Sequence, residues 1–496
     1  MTNPMRHCIA VFAALLVCAA PASASRGQVT IMQDDRRVLQ SGADTRNRTL
    51  DEFQALGVDV LKLHMLWDDV APGDQTKPDG FDGANPDAYP REAWEPFDQA
   101  IAGAQARGMR VLLQLGGRAP EWASDNRVNN PDPVEFGRFV TAVGRRYAGG
   151  SAPAGGGGGG PGGTPLPLPN QDASAAQAGG SSPRVDMWSL WNEPNLSSWL
   201  GPQFRRKRPN SPRLYRALLR AGHQGLVDSG HGSDEILIGE LLPFARGGRA
   251  GRSKVRPIQF LRELACVNRR FRPYRGRAAR VRGCNNYSPL PGTGLALHPY
   301  TLAGGPRVRV PHREDISIST LGRVTSALNR LDRRGRLARR GMPLWITEYG
   351  FQTDPPDPFQ SRIGRVPGYM GESEWIAYRN GRVASYAQYT LIDDALGRGA
   401  NRYGGWQAGL RFANGRKKTK VYRAFELPLF VRLRGSSRVE VFGGVRNADS
   451  GTVTIESRRG RRGRFRSVGT AQVGARGYFR FRSGDRASVA LRAARR

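Results

Sequence analysis

The sequence predicts a (β/α)8 barrel of the TIM type followed by a small all-β domain. Three observations carry that expectation. Short runs rich in β-branched and apolar residues alternate with helical stretches, the pattern of βα units wrapped around a parallel sheet. The runs number eight, the strand count of a closed barrel. After about Leu429 the alternation stops, and short period-two runs separated by Gly, Asn and Asp turns take over.

Taken in order, the first strand is VTIMQ, Val29 to Gln33, and the second is VDVLKLHMLW, Val58 to Trp67, with the helical TLDEFQALG between them. A longer helix, EAWEPFDQAIAGAQARG, leads into the third strand, Met109 to Gly117. The helix PVEFGRFVTAVGRRYA precedes the fourth, VDMWSLWNEP, Val185 to Pro194. The remaining strands are Ile236 to Pro243, Leu295 to Thr301, Pro343 to Phe351 and Ser385 to Asp394. The barrel is therefore expected over residues 26–429.

One stretch interrupts it. Residues 149–183 are almost entirely Gly, Pro, Ala and Ser, a composition that buries too little apolar surface to offset the entropy of ordering. They are expected to be disordered. Because they join a helix to the next strand, they belong at the bottom of the barrel, opposite the face that carries barrel sites. The runs SRVEVFGGV, GTVTIESR, RFRSVGTAQV, GYFRFR and ASVALRA place a β-sandwich-like domain at 430–496, with a structural role expected because it has no tryptophan on which a sugar could stack.

The chain opens with Arg6, an apolar run from Cys8 to Ala20 and a small-residue Ala22-Ser23-Ala24 site, the make-up of an export signal peptide over residues 1–24. A secreted, extracellular protein is expected. No later run approaches the roughly 18 apolar residues that a transmembrane segment needs. Removing the leader leaves Cys266 and Cys284, which in an oxidising compartment point to one disulfide bond. The formal charge of +34 arises from 76 basic against 42 acidic residues spread along the whole chain. Spread charge of this kind describes a solvated basic surface, with no specific nucleic acid as partner and at most loose electrostatic adhesion to an anionic cell wall. A monomer is expected.

Two glutamates stand out at strand ends. Glu193 closes the fourth strand in WNEPN and Glu348 the seventh in ITEYG. On a closed barrel these ends face one another across the mouth, so carboxylates far apart in sequence meet. Between them in sequence lies LHPYT, which carries His298 and Tyr300 to the end of the sixth strand. Trp67 after strand two and Trp406 after strand eight are candidates for flat apolar faces at the rim.

With these motifs in hand, the chain resembles the clan of retaining glycoside hydrolases on (β/α)8 barrels that includes cellulases, β-xylosidases and related endo-glycanases. The resemblance spans about Val29 to Leu429. It implies a carbohydrate substrate, with Asn192 on the sugar 2-hydroxyl, Glu193 as acid/base and Glu348 as nucleophile. It also implies that His298 or Tyr300 orients the nucleophile. A Tyr300 hydroxyl on Glu348 would hold that carboxylate for attack. Retention needs Glu348 ionised and Glu193 protonated at the start, two roles for two like residues.

Two positions depart from the clan. Many members have Arg five residues before the strand-two tryptophan, where this chain has Lys62, which keeps the charge and loses the bidentate fork. Many also have a histidine pair late in strand three, where this chain reads LLQLGGRAPEW. The substrate sugar therefore stays open, as do a transglycosylase acting through the same residues and a non-catalytic carbohydrate-binding barrel. No cofactor or metal is implied: there is no H-E-x-x-H, no zinc spacing of cysteines, no G-x-S-x-G elbow and no phosphate loop.

Overall fold

The computed structural model describes residues 27–150, 182–245, 253–301, 303–434, 438–459, 462–483 and 489–495. The expected signal peptide and most of the expected disordered insertion lie outside these residues.

Eight parallel strands form one sheet: β1 (Val29–Gln33), β2 (Val60–Met65), β3 (Arg110–Leu115), β4 (Met187–Leu190), β5 (Glu235–Leu241), β6 (Gly294–Leu297), β7 (Leu344–Ile346) and β8 (Ser385–Tyr389). Neighbours in sequence are neighbours in space from β1 to β7, and β8 returns to pair with β1 from Val29↔Ser385 to Gln33↔Tyr389. The ring closes between β7 and β8, where the Leu344 amide donates to the Arg382 carbonyl at 2.7 Å and the Ala384 amide to the Leu344 carbonyl at 2.8 Å. This is the expected barrel.

A helix follows each strand: α1 (Ala43–Ala55), α2 (Arg91–Gln105), α3 (Pro133–Arg146), α4 (Ser211–Asp228), α5 (Pro257–Leu264), α6 (Leu321–Asp332), α7 (Val366–Tyr378) and α8 (Thr419–Glu426). The α3 helix shows how sequence sets a start. Asp132 caps it by accepting from the Val134 and Glu135 amides, and Pro133 occupies the first turn, where no amide is needed. Its apolar stripe, with Phe136, Phe139, Val140 and Val143 buried, packs inward.

The structure trims the insertion. Gly149, Gly150, Ser182 and Pro183, expected inside the disordered stretch, belong to a short antiparallel ladder that pairs Ala148 with Arg184 and Gly150 with Ser182. Backbone hydrogen bonds between the two ends of the detour supply the order that side-chain burial cannot.

Beyond the barrel, β9 (Leu429–Arg434), β10 (Arg438–Gly444) and β13 (Tyr478–Ser483) form one antiparallel sheet, and β11 (Thr452–Arg459), β12 (Arg466–Gln472) and β14 (Val489–Arg495) form another. Val439, Val441, Val453, Ile455, Ala471 and Phe479 share a small core between them. The sheets meet the N-terminal ends of the barrel strands. There the Arg446 guanidinium donates to Thr30 at 2.7 Å and pairs with the buried Glu374 of α7, while the Tyr478 hydroxyl donates to Glu374 at 2.7 Å and accepts from Gln28 at 3.0 Å. Trp375, Tyr378, Phe442 and Tyr478 fill the space beside these polar contacts.

Candidate active site

The site is built on irregular backbone just past the strand ends. The β4 strand stops at Leu190, and Trp191 turns into the left-handed region at φ +74° while its amide still donates to the Leu115 carbonyl at 2.8 Å. That turn is possible because a glycine follows β3: a side chain at Gly116, itself at φ +90°, would begin 2.7 Å from the Trp191 ring. Two residues on, Glu193 also has positive φ, at +34°. Such conformations cost a non-glycine residue about 1–3 kcal/mol and persist where surrounding contacts hold them. Here the Trp191 indole donates to the Trp199 carbonyl at 2.9 Å. The Asn195 side chain straps the loop to its neighbour by donating to Leu242 and Val255 carbonyls at 3.1 Å and accepting from the Leu242 amide at 2.9 Å. Simple strand alternation would put Asn192 and Glu193 on opposite faces, and the irregular end removes that conflict.

Four strands then bring charge to one place. Lys62 on β2, Glu240 on β5, His298 after β6 and Glu348 after β7 converge, and the side chains of the first three have no solvent exposure. Lys62 Nζ donates to Glu240 Oε2 and, at 2.9 Å, to Glu348 Oε1. His298 Nε2 lies 2.7 Å from Glu240 Oε2, and its Nδ1 lies 2.9 Å from Glu193 Oε1 and 3.5 Å from Glu348 Oε2. The Tyr300 hydroxyl donates to Glu348 Oε2 at 3.3 Å. Glu193 and Glu348 keep 12% and 13% of their side-chain surface open, so each can be reached from the mouth.

Burial and pairing set opposing pulls on each group. Burial alone would raise Glu240 and Glu348, but Lys62 and His298 override it and hold Glu240 far below, and Glu348 below, the usual glutamate value. Burial likewise disfavours charge on Lys62, yet Glu240 and Glu348 keep it an ammonium, above the ordinary lysine value. For His298, burial is outweighed by Glu348, Glu193 and Glu240, and its pKa rises to about 9. Burial and Glu348 push the Tyr300 phenol well above its normal value, so it remains a donor. Ligand atoms of Glu240, His298 and Glu348 lie within 4.8 Å of one another, but Lys62 Nζ already sits among them, and a metal ion would face that ammonium.

The expected rim aromatics divide. Trp406 is 36% exposed, and its ring lies 5.0 Å from Tyr300 and 5.6 Å from Tyr389, centre to centre. It offers a face at the mouth. Trp67 does not: it is 1% exposed, stacked 5.7 Å from Phe139 and held edge-on by Trp122. It is a core residue because β2 ends at Met65 and the chain turns at once into a short helix, Trp67–Val70, which swings the indole outward onto α3. Asn192 is buried at 5% exposure, and its Oδ1 has no partner in the structure. Cys266 and Cys284 form the expected disulfide, in the loop region after α5.

Two groups escaped the sequence reading. Glu240 is a lone acid within the apolar run ILIGELLP, and an unpartnered charge in a buried strand was the available signal. Asp35, directly after β1, accepts from Gln33 Nε2 at 2.6 Å and from the His64 amide at 3.3 Å. Burial raises its pKa to about 7. His64 beside it is driven down to about 4 by burial and by Lys62, and its ring nitrogen contacts the Gly116 carbonyl at 2.8 Å.

No family model matches the chain, and no curated protein matches it in sequence. Solved structures do. A family 39 glycoside hydrolase from the gut symbiont Bacteroides cellulosilyticus WH2 superposes with a TM-score of 0.50 at 12% identity, over 96% of this chain and 82% of that one. A monomeric beta-xylosidase from Caulobacter crescentus CB15 aligns over 96% of this chain and 97% of its own, with 14% identity and a TM-score of 0.48. A family 30 endoxylanase from Clostridium papyrosolvens C71 aligns over 94% and 98%, with 12% identity and a TM-score of 0.44. The chain thus resembles the glycoside hydrolases built on (β/α)8 barrels. At these identities the likeness is one of fold.

Proposed function

We propose that the protein is a secreted retaining glycoside hydrolase in which Glu348 is the nucleophile and Glu193 the acid/base. The observation that carries this reading is the approach of both glutamates to one imidazole nitrogen. Their nearest oxygens are therefore closer than those two distances together, which favours the roughly 5–5.5 Å of a retaining pair over the roughly 6.5–9.5 Å of an inverting one.

The chemistry follows from the charges. Glu348, ionised under Lys62 and His298, attacks the anomeric carbon as the glycosidic C–O bond breaks and Glu193 passes its proton to the leaving oxygen. Water then attacks the glycosyl ester, gives a proton to Glu193 and restores the Glu348 carboxylate. Trp406, with Tyr300 at its side, supplies the stacking face for the sugar. The unpartnered Asn192 oxygen is assigned to a sugar hydroxyl, since a buried acceptor left empty is costly. Export is supported by the signal-peptide make-up of residues 1–24 and by the disulfide. Residues 430–496 are assigned as a separate β-sandwich-like domain, monomeric with the barrel, that seals its floor.

The test is to assay the secreted chain on a panel of aryl β-glycosides and on plant and bacterial glycans, beside Glu348→Ala and Glu193→Ala. Expected are loss of turnover by roughly 10⁴-fold or more in the first, and partial rescue of the second by azide on substrates with good leaving groups. Wild-type rates in either variant would sink the assignment.

A further inference from the structure

Glu240 does nothing in the double displacement just described. It touches no reacting atom, yet its carboxylate is completely buried, with Oε2 shared by Lys62 Nζ and His298 Nε2 and with Oε1 unpartnered. Desolvating a carboxylate is expensive, and a well-packed apolar side chain commonly serves stability as well or better. Its presence calls for a function in charge.

The geometry around His298 points to that function. The charged and titratable groups that face the ring are Lys62 from β2, Glu193 from the loop after β4, Glu240 from β5, Glu348 from the end of β7 and Tyr300 on its own segment. Glu240, an ionised acceptor, has no proton to give, so His298 Nε2 carries one. The other nitrogen faces two carboxyl groups, and a bare lone pair there would oppose the Glu348 charge 3.5 Å away. With a neutral ring, Lys62 alone would balance Glu240 and Glu348 and leave a buried net negative charge. With an imidazolium and a protonated Glu193 the cluster is neutral.

We propose that Glu240 is a positioning residue that keeps His298 doubly protonated, so that one imidazolium is the counter-ion first of Glu348 and then of Glu193. The proposal rests on the glycosidase reading above. While Glu348 is ionised it answers the imidazolium charge. Once Glu348 is a neutral glycosyl ester, the bond to the anomeric carbon has replaced its charge and the proton of Glu193 has left with the aglycone. The imidazolium then faces Glu193 as the remaining open carboxylate, the group that must accept a proton from water. The second half of the reaction depends on this exchange more than the first. The raised pKa of His298 agrees with a charged ring while Glu348 is ionised.

Two measurements test it. In the wild-type chain, ¹⁵N shifts of the His298 ring, assigned by their loss in His298→Asn, should show both nitrogens protonated through about pH 8, above the ~6.5 of a free histidine. A neutral ring at pH 7 overturns the proposal, and this reading needs neither turnover nor a Glu240 variant. Rapid kinetics then compare Glu240→Gln with wild type on an activated aryl glycoside that the wild type cleaves. Deglycosylation should slow by roughly 100-fold or more, the scale of general-base assistance, with glycosylation slowed less than roughly tenfold. The covalent intermediate should accumulate to a level visible by mass spectrometry, and Glu240→Asp should restore part of the rate. Equal slowing of both steps would mean a merely structural role and would overturn the proposal. If the wild type cleaves no glycoside, the functional reading fails while the state of the ring is still measured.

Discussion

At the scale of single residues, the candidate site is a set of charges too deeply buried to be independent. Lys62 is a single ammonium that suffices because it reaches Glu240 and Glu348 as a point charge, with His298 completing the balance from the other side. The raised pKa of His298 is also a statement about stability. Its proton is held to about pH 9 in the folded chain, whereas an unfolded histidine releases it near ~6.5. The contribution is complete below the unfolded value and disappears as pH rises through the folded one, and it amounts to about 3 kcal/mol at most. Urea midpoints should therefore fall between about pH 6.5 and 9 in the wild type, while His298→Asn should lack that slope. Parallel curves for the two proteins would contradict the assignment.

At the scale of elements, the eight strands and their order were legible from the alternation alone, and β1 falls on its expected bounds. The errors share a direction. Strand four was expected to reach Pro194 and ends at Leu190, and strand seven was expected to reach Phe351 and ends at Ile346. Apolar character continues past the last ladder bond, so composition overshoots. The candidate site residues Glu193 and Glu348 occupy that overshoot, where positive φ at Trp191 and Glu193 turns the chain over the mouth. Trp67 was misread for the same reason, since nothing local announces that its helix begins directly after β2. Glu240 belongs to no motif, and its signal in the sequence is one charge in an apolar run. Glycine at 116 is what lets β4 end as it does. Replacing it with Ala places a methyl 2.7 Å from the Trp191 ring at φ +90°. Gly116→Ala should cost about 1–3 kcal/mol in thermal or chemical unfolding and reduce turnover by moving Glu193. An unchanged unfolding midpoint would show that Trp191 yields freely.

At the scale of the molecule, the barrel is open at one end to the site and covered at the other by the C-terminal sheets. The join is not only apolar. Arg446 is buried against Glu374 and Thr30, and Tyr478 bonds the same carboxylate. Breaking one partner of a buried pair leaves a desolvated charge, so Glu374→Gln should lower stability by about 3–5 kcal/mol. Because the pair lies at the opposite end from Glu193 and Glu348, kcat/KM at a permissive temperature should stay as in the wild type. Calorimetry paired with the glycoside assay checks both halves, and a large loss of kcat/KM would argue that the floor and the mouth are coupled. The excess of basic residues is legible from composition, and the buried ion pair that uses one of them is not. Arg446 and Glu374 are 72 residues apart and have no mutual signature in sequence.

The short ladder at Ala148–Gly150 and Ser182–Arg184 has a practical consequence. It pins Ala148–Gly150 to Ser182–Arg184 below α3 and β4, so the barrel is insulated from the length of chain inserted at this position. Doubling a closed loop costs only about 0.6 kcal/mol of chain entropy. The position is therefore a ready attachment port: a folded cargo, a fluorescent reporter or an affinity module could be spliced in there, facing away from the candidate site, and the barrel would carry it as a passenger.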